Sequence, residues 1–316
     1  MEIRLAVIGT GRIAKRAVNE INEVDGLVIT TVVNPNAEHL IKFAADNGIK
    51  DYSSDIGGIA GIADAAYIAS PHGTHYEYAR NLLKMGIHVI CEKPAVLKSG
   101  QAAELFSLAQ NNGLVFMEAV KTAYCPGFRQ IEEIVASGRI GDVVDVEAAF
   151  TKLTPVGGRE FADLEYGGAF TELGSYSMLP ILRFLGSSGF DCSFMHRDVG
   201  AVDGYTKVLF DYGDRFACAK TGLSVKSEGQ LIVSGTKGYI LVPSPWWLTK
   251  YFEVRYEDPL KIEKYECEFK GDGLRYEFAE FIKRINDGQP MPADEISEMR
   301  ARAGIYEDFL RKRSSH

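Results

Sequence analysis

The passage that most constrains this chain runs from an apolar, β-branched segment, Ile3–Ile8, through Gly9-Thr10-Gly11-Arg12-Ile13-Ala14 into an amphipathic stretch, Ile13–Glu23. Strand, glycine turn and helix in that order open a βαβ unit. Glycines in the turn let the backbone approach a pyrophosphate, and the helix N-terminus offers free N–H groups and the positive end of its dipole. Gly9, Thr10, Gly11, Arg12 and Ile13 are therefore expected to hold a dinucleotide, with Ala14 at the third glycine position. A bare motif of this kind is equally a plain glycine turn. The alternation that follows it favours the nucleotide.

Short apolar runs and helical stretches alternate through the first third: Leu27–Val33 then Ala37–Asn47, Ala65–Ala69 then Tyr76–Met85, Ile87–Cys91 then Gln101–Asn112, and a last run Leu114–Glu118. Strands separated by helices of about ten residues predict a parallel sheet with helices on both faces. Ser99 is placed to cap the Gln101–Asn112 helix and Gly113 to end it. After about residue 124 the pattern changes. A helix over Phe128–Ala136 precedes longer alternating runs, Val143–Lys152, Thr206–Tyr212, Arg215–Ser224, Gly229–Ser234, Tyr239–Val242 and Tyr251–Tyr256, which suit an open, mainly antiparallel sheet. A glycine-rich stretch, Tyr166–Gly174, leads into a helix ending near Leu185, and helices over Tyr276–Ile285 and Ser297–Arg311 close the chain. The fold class expected is α/β: an N-terminal Rossmann domain over 1–122 and a C-terminal α/β domain over 123–316. The length of 316 residues suits two domains.

Composition narrows the function. Lys and Arg number 35 against 43 Asp and Glu, and the net charge of −8 opposes binding to phosphate backbones or anionic membranes. At 46% hydrophobic and 25% charged, the chain has the composition of a folded globular protein rather than a disordered one. Its five cysteines are scattered without a C-x-x-C, which fits reduced thiols in a cytoplasm. The opening Met1-Glu2-Ile3-Arg4 lacks the features of a secretion signal, and no apolar run approaches membrane-spanning length. Expected partners are thus a small-molecule substrate and further copies of the chain, with neither nucleic acid nor membrane.

Three strand ends carry candidate chemistry. Asn34 ends the second strand, about twenty residues beyond Ala14, where an acid often binds the adenosine ribose. An amide there bonds a hydroxyl without repelling a phosphate, so the choice between NAD and NADP stays open; Asn34 equally suits the turn before Pro35. Cys91-Glu92-Lys93-Pro94 ends the fifth strand, on the carboxyl edge where open α/β sheets bind ligands. A lysine there can bond a substrate oxygen and stabilise negative charge during hydride transfer, while Pro94 stiffens its loop. His72 and His75 follow Pro71 without an evident third ligand, so no metal is expected.

Together with Tyr67-Ile68-Ala69-Ser70-Pro71-His72-Gly73-Thr74-His75, Gly86–Pro94, Ser137-Gly138-Arg139-Ile140-Gly141 and Gly167–Tyr176, these residues make the chain resemble the Gfo/Idh/MocA oxidoreductase family over essentially its full length. The Glu-Lys-Pro block is the most specific match. The resemblance implies a Rossmann domain, a second domain whose open sheet often forms dimers, and NAD(P)-dependent oxidation or reduction of sugars, polyols or related alcohols. It assigns Lys93 as the active-site lysine. It places Ser70, Pro71, His72, His75 and Glu92 beside the cofactor, and Glu118 at its nicotinamide ribose or amide. Glu172-Leu173-Gly174-Ser175-Tyr176 occupies the segment that often reads Asp-x-Gly-x-His. Tyrosine at the last position is similar to dihydrodiol dehydrogenases, glucose–fructose oxidoreductases and some sugar ketoreductases. A neighbouring ammonium that lowers the phenol's pKa makes Tyr176 a proton donor to a carbonyl oxygen, with Glu172 orienting it; packing alone is the other role for this ring.

Lys121 suits either a polar or anionic substrate or open solvent, and Trp246 with Trp247 either a sugar-stacking wall or structural packing. The expected activity is hydride transfer between a nicotinamide and a secondary alcohol or ketone. The competing readings are a nucleotide-dependent sensor and an NAD-dependent glycosidase.

Overall fold

The first third of the chain folds as its alternation dictates. The computed structural model, which describes residues 2–155, 157–289 and 291–313, begins with β1 (Ile3–Ile8), α1 (Arg12–Ile21), β2 (Leu27–Val33), α2 (Ala37–Asp46), β3 (Asp51–Ser53), β4 (Ala65–Ile68), α3 (His75–Lys84), β5 (His88–Glu92), α4 (Ser99–Asn111) and β6 (Phe116–Ala119). The strands pair in the order β3-β2-β1-β4-β5-β6, all parallel. Because the chain winds outward from β1 to β3 and then returns to β4, the winding direction reverses between β1 and β4. The backbones leaving the carboxyl ends of those strands diverge there, and a crevice for a ligand results. Strands β4 and β6 are buried along their whole lengths, as expected of a parallel sheet covered on both faces. Ser99 is the first residue of α4 rather than its cap; Lys98 takes the cap position with no side-chain bond.

The chain continues with α5 (Pro126–Ala136), β7 (Val143–Thr151), α6 (Arg159–Ala162), α7 (Ala169–Leu185), β8 (Asp191–Val199), β9 (Val202–Asp211), β10 (Phe216–Gly222), β11 (Leu231–Gly235), β12 (Tyr239–Val242), β13 (Tyr251–Arg255), β14 (Ile262–Glu266), α8 (Leu274–Asp287) and α9 (Ala293–Arg313). Strands β7 to β14 make an eight-stranded sheet in the order β14-β13-β12-β11-β7-β10-β9-β8. Its neighbours run antiparallel except β7 with β10, which are parallel. Helix α7 packs on β7, β9 and β10, where Val146, Ala148, Ala217 and Ala219 are buried. That helix takes in part of the glycine-rich stretch expected to precede it: Gly174 lies inside it. A Cβ on Gly174 would stand 2.8 Å from the Phe170 ring and 3.0 Å from the Tyr306 hydroxyl, so only glycine fits there.

Two units result. Residues up to Lys121 join Lys270–Arg300 in the first, and Thr122–Phe269 join the residues from Ala301 onward in the second. Within the first unit α8 is tied to α1: Arg275 Nη2 donates to Glu20 Oε1 at 2.8 Å, and Arg16 Nε donates to Asp272 Oδ2 at 2.7 Å. No described helix is long and apolar enough to cross a membrane.

Candidate active site

The glycine turn adopts a conformation open to few residues. Gly9 has φ of +110°, and a Cβ there would lie 2.7 Å from the Ala69 carbonyl oxygen. Gly11 caps α1 without a side-chain bond, and a Cβ on it would meet nothing within 4 Å. Open space thus lies before a helix N-terminus whose first turn holds no acid, and this cradle fits the diphosphate of a dinucleotide. Arg12 is exposed and Ile13 half-buried beside it. Asn34 braces the turn: its Nδ2 donates to Thr10 Oγ1 at 2.7 Å while its Oδ1 accepts from Asn36 N at 2.8 Å. Asn36 in turn caps α2 by accepting from His39 N at 2.9 Å.

At the end of β5 the chain fixes Lys93 from several directions. Glu92 is buried; its Oε1 accepts from the Tyr67 hydroxyl at 2.7 Å and its Oε2 from Lys93 N at 3.3 Å. The imidazole of His75 stands between two carbonyls, with Nδ1 2.9 Å from Pro94 O and Nε2 2.9 Å from Ser70 O. Burial lowers its pKa, and the neutral ring carries a single N–H, so it donates to one of these carbonyls and packs against the other, between the Ser70 turn and the Lys93 loop. The Ser70 hydroxyl pairs with Thr74 Oγ1 at 2.7 Å, and the Thr74 hydroxyl donates to Pro71 O at 2.8 Å. The ring of His72 packs edge-on to His75, with centroids 5.4 Å apart. Glu118, also buried, accepts from Ala95 N at 3.1 Å. Burial raises the Cys91 thiol well above its usual pKa, which leaves it an inert core residue.

Beneath this edge lie residues that sequence reasoning did not single out. Tyr67 is fully buried, its ring edge-on to Phe278 at 5.0 Å. Glu277, on α8, is 0% exposed, and neither carboxyl oxygen has a hydrogen-bond partner among the described residues. The signal for it was legible: Leu274, Glu277, Phe278 and Phe281 share one helical face, so a carboxyl interrupts an apolar stripe. Lys121, read as substrate-binding or solvent-facing, is buried and donates to the Asp272 carbonyl.

In the second unit α7 carries Glu172 and Tyr176 one turn apart. The helix starts on Asp203, whose Oδ2 accepts from Phe170 N at 2.8 Å and from Thr206 Oγ1 at 2.6 Å, while Arg313 Nη1 lies 3.3 Å from Oδ1. Glu172 Oε1 accepts from Arg159 Nη2 at 3.0 Å. The half-buried Tyr176 rests against Phe150 with ring centroids 5.3 Å apart. Trp247 stacks on the other side of that contact, 3.6 Å from Phe150 and within 6° of parallel. The two tryptophans therefore divide their roles: Trp246 is core, its Nε1 donating to Ala149 O at 2.8 Å, and Trp247 extends an aromatic wall that reaches Tyr176 through Phe150. Among the described residues no group of three or more His, Cys, Asp or Glu side chains could hold a metal.

Comparisons with known proteins bear on the fold and the family. Residues 3–120 match the model of an oxidoreductase family with an NAD-binding Rossmann fold, and residues 128–241 match the GFO/IDH/MocA C-terminal domain. The scyllo-inositol 2-dehydrogenase (NADP(+)) of Bacillus subtilis is 27% identical, over 91% of this chain and 89% of its own. Human trans-1,2-dihydrobenzene-1,2-diol dehydrogenase is also 27% identical, over 78% and 76%. A 3-ketoreductase from Actinomadura kijaniata, solved in complex with NADP and TDP-benzene, superimposes with a TM-score of 0.85 at 21% identity, over 99% of this chain and 98% of that one. Family models over both halves lead to one conclusion: the chain belongs to the Gfo/Idh/MocA family of NAD(P)-dependent oxidoreductases.

Proposed function

We propose that the enzyme interconverts a secondary alcohol and a ketone on a sugar, cyclic polyol or dihydrodiol, with Lys93, Tyr176 and Glu172 as its working side chains. A bound NAD or NADP supplies the hydride acceptor or donor. The observation that carries the reading is the bracing of Lys93. Its own N–H, the Pro94 carbonyl and the Ala95 N–H are each engaged, by Glu92, His75 and Glu118, so the backbone of the loop is held on three consecutive residues. A lysine carried on a backbone held in this way brings its ammonium to a substrate oxygen, where it stabilises negative charge with little reorganisation of the loop. Tyr176 exchanges the proton of that oxygen, and Glu172, one turn back on α7, orients the phenol. Gly9 to Ile13 hold the diphosphate, and Asn34, Ser70, Pro71, His72, His75, Glu92 and Glu118 complete the cofactor's surroundings. The wall of Phe150 and Trp247 suits the apolar face of a sugar or ring diol.

The activities of the relatives, on an inositol and on a dihydrodiol, support this substrate class. The test is steady-state turnover of Lys93→Met and Tyr176→Phe on a panel of keto sugars and diols. Each is expected to lose about 10²- to 10³-fold in kcat while keeping cofactor affinity within a few fold. Wild-type turnover in K93M would remove the lysine from the mechanism. We further read the enzyme as a cytoplasmic homodimer, because the face of the second sheet turned away from α7 exposes Met195, Leu209 and Phe216.

A further inference from the structure

The Glu277 carboxyl is a buried titratable group of the first unit that neither a hydrogen bond among the described residues nor the proposed mechanism explains. It sits on the apolar face of α8, next to the Phe278 ring that packs against Tyr67. The charged and titratable groups around it come from five elements: Glu92 and Lys93 at the end of β5, Lys121 after β6, Glu20 on α1, itself paired with Arg275 of α8, and Tyr67 on β4. Glu92 and Glu277, both buried, cannot both ionise cheaply in the same interior. They are not equal competitors for the charge. Glu92 accepts hydrogen bonds from the Tyr67 hydroxyl and from Lys93 N, and these bonds with the charge of Lys93 offset part of the burial that raises its pKa. Glu277 accepts none and has no exposed surface. An ionised carboxylate without hydrogen bonds is far costlier to bury than a neutral acid.

We infer that Glu277 is a proton-holding positioning residue: it carries a proton in the folded enzyme, leaves Glu92 as the carboxylate that faces Lys93, and releases that proton to solvent when positive charge is added at the end of β5. The oxidised nicotinamide ring is positive and the reduced ring neutral. Resting on the hydride-transfer reading above, the inference therefore makes proton release accompany binding of the oxidised cofactor more than the reduced one. Burial, reinforced by the charge of Glu92, raises the Glu277 pKa well above the usual carboxylate value, in the same direction as the geometric argument.

Two measurements on the full-length enzyme test it. Infrared spectra of wild type and Glu277→Gln at neutral pH should differ by one protonated-carboxyl stretch, present in wild type and lost in E277Q. Should E277Q fail to fold, Glu277→Leu, neutral and close in volume, serves in its place. Proton release on binding NADP+ and NADPH, measured with an indicator dye in weak buffer, should be greater for NADP+ in wild type, and this difference should shrink in the variant. Identical infrared spectra, or identical proton counts in wild type and variant, would overturn the inference. Failure of both cofactors to bind would overturn the hydride-transfer reading and the coupling with it, while the infrared band would still show whether Glu277 holds its proton.

Discussion

A strand-end lysine is useful to a reaction only if its loop cannot drift, and the side chain that crosses most of that loop is His75. Its imidazole stands between Pro94 O and Ser70 O and is 1% exposed. Burial lowers its pKa below the ordinary 6.5, so the unfolded chain binds a proton more readily than the folded one. The stability His75 contributes is complete above about pH 6.5 and falls as the pH drops through and below that value. Thermal unfolding should show this acid-side loss in wild type and a flatter profile in His75→Gln, together with a destabilisation of about 1–3 kcal/mol from the disturbed buried contacts. An equal pH slope in both would assign the loss to other groups. The sequence showed His75 as the residue after a proline turn, but not its two carbonyl partners: Pro94 follows a different strand, and Ser70, five residues back, faces the ring only once the turn has folded. Glu277 was legible from helical spacing alone. Tyr67 was not, since an aromatic residue in an apolar strand announces no partner.

Elements with strong periodicity were read nearly to the residue: Leu27–Val33 and Tyr239–Val242 are strands with the expected bounds. Three short or polar strands, β3, β8 and β14, were missed. β3 has three residues, and β8 and β14 end the second sheet with most of their side chains exposed or half-exposed, so little apolar alternation marks them. The start of α7 was placed too late because glycine argues against helix, and here tertiary contacts override propensity. Asp203 is the residue that forces the start, engaging Phe170 N, Thr206 and Arg313 while fully buried. Asp203→Ala should therefore destabilise the protein by about 3 kcal/mol, since it takes the acceptor from a helix N–H and the carboxylate from a largely buried guanidinium that, among the described residues, keeps only its hydrogen bond to Leu164 O. Denaturant unfolding measures this directly. A loss under about 1 kcal/mol would show that α7 starts without the aspartate.

At the scale of the molecule, alternation predicted the parallel sheet and five of its six strands, whereas the course of α8 was hidden. A helix read near the end of the chain belongs by its contacts to the first unit, held by Arg275 on Glu20, and no local pattern reports a partner some 250 residues away. The exposed Met195, Leu209 and Phe216 should be covered in solution. Sedimentation should give at least twice the chain mass of 34.8 kDa, and Phe216→Lys should shift the enzyme toward the monomer. A wild-type monomer at micromolar concentration would contradict the dimer. The central claim is hydride transfer at a braced lysine. The most direct test mixes purified wild type and K93M with NADH or NADPH and follows the nicotinamide absorbance as keto sugars are added. The account predicts tight binding of at least one cofactor by both proteins, with substrate-dependent loss of absorbance in wild type and about 10²-fold slower loss in K93M. Equal rates in the two proteins, or no binding of either cofactor, would contradict it.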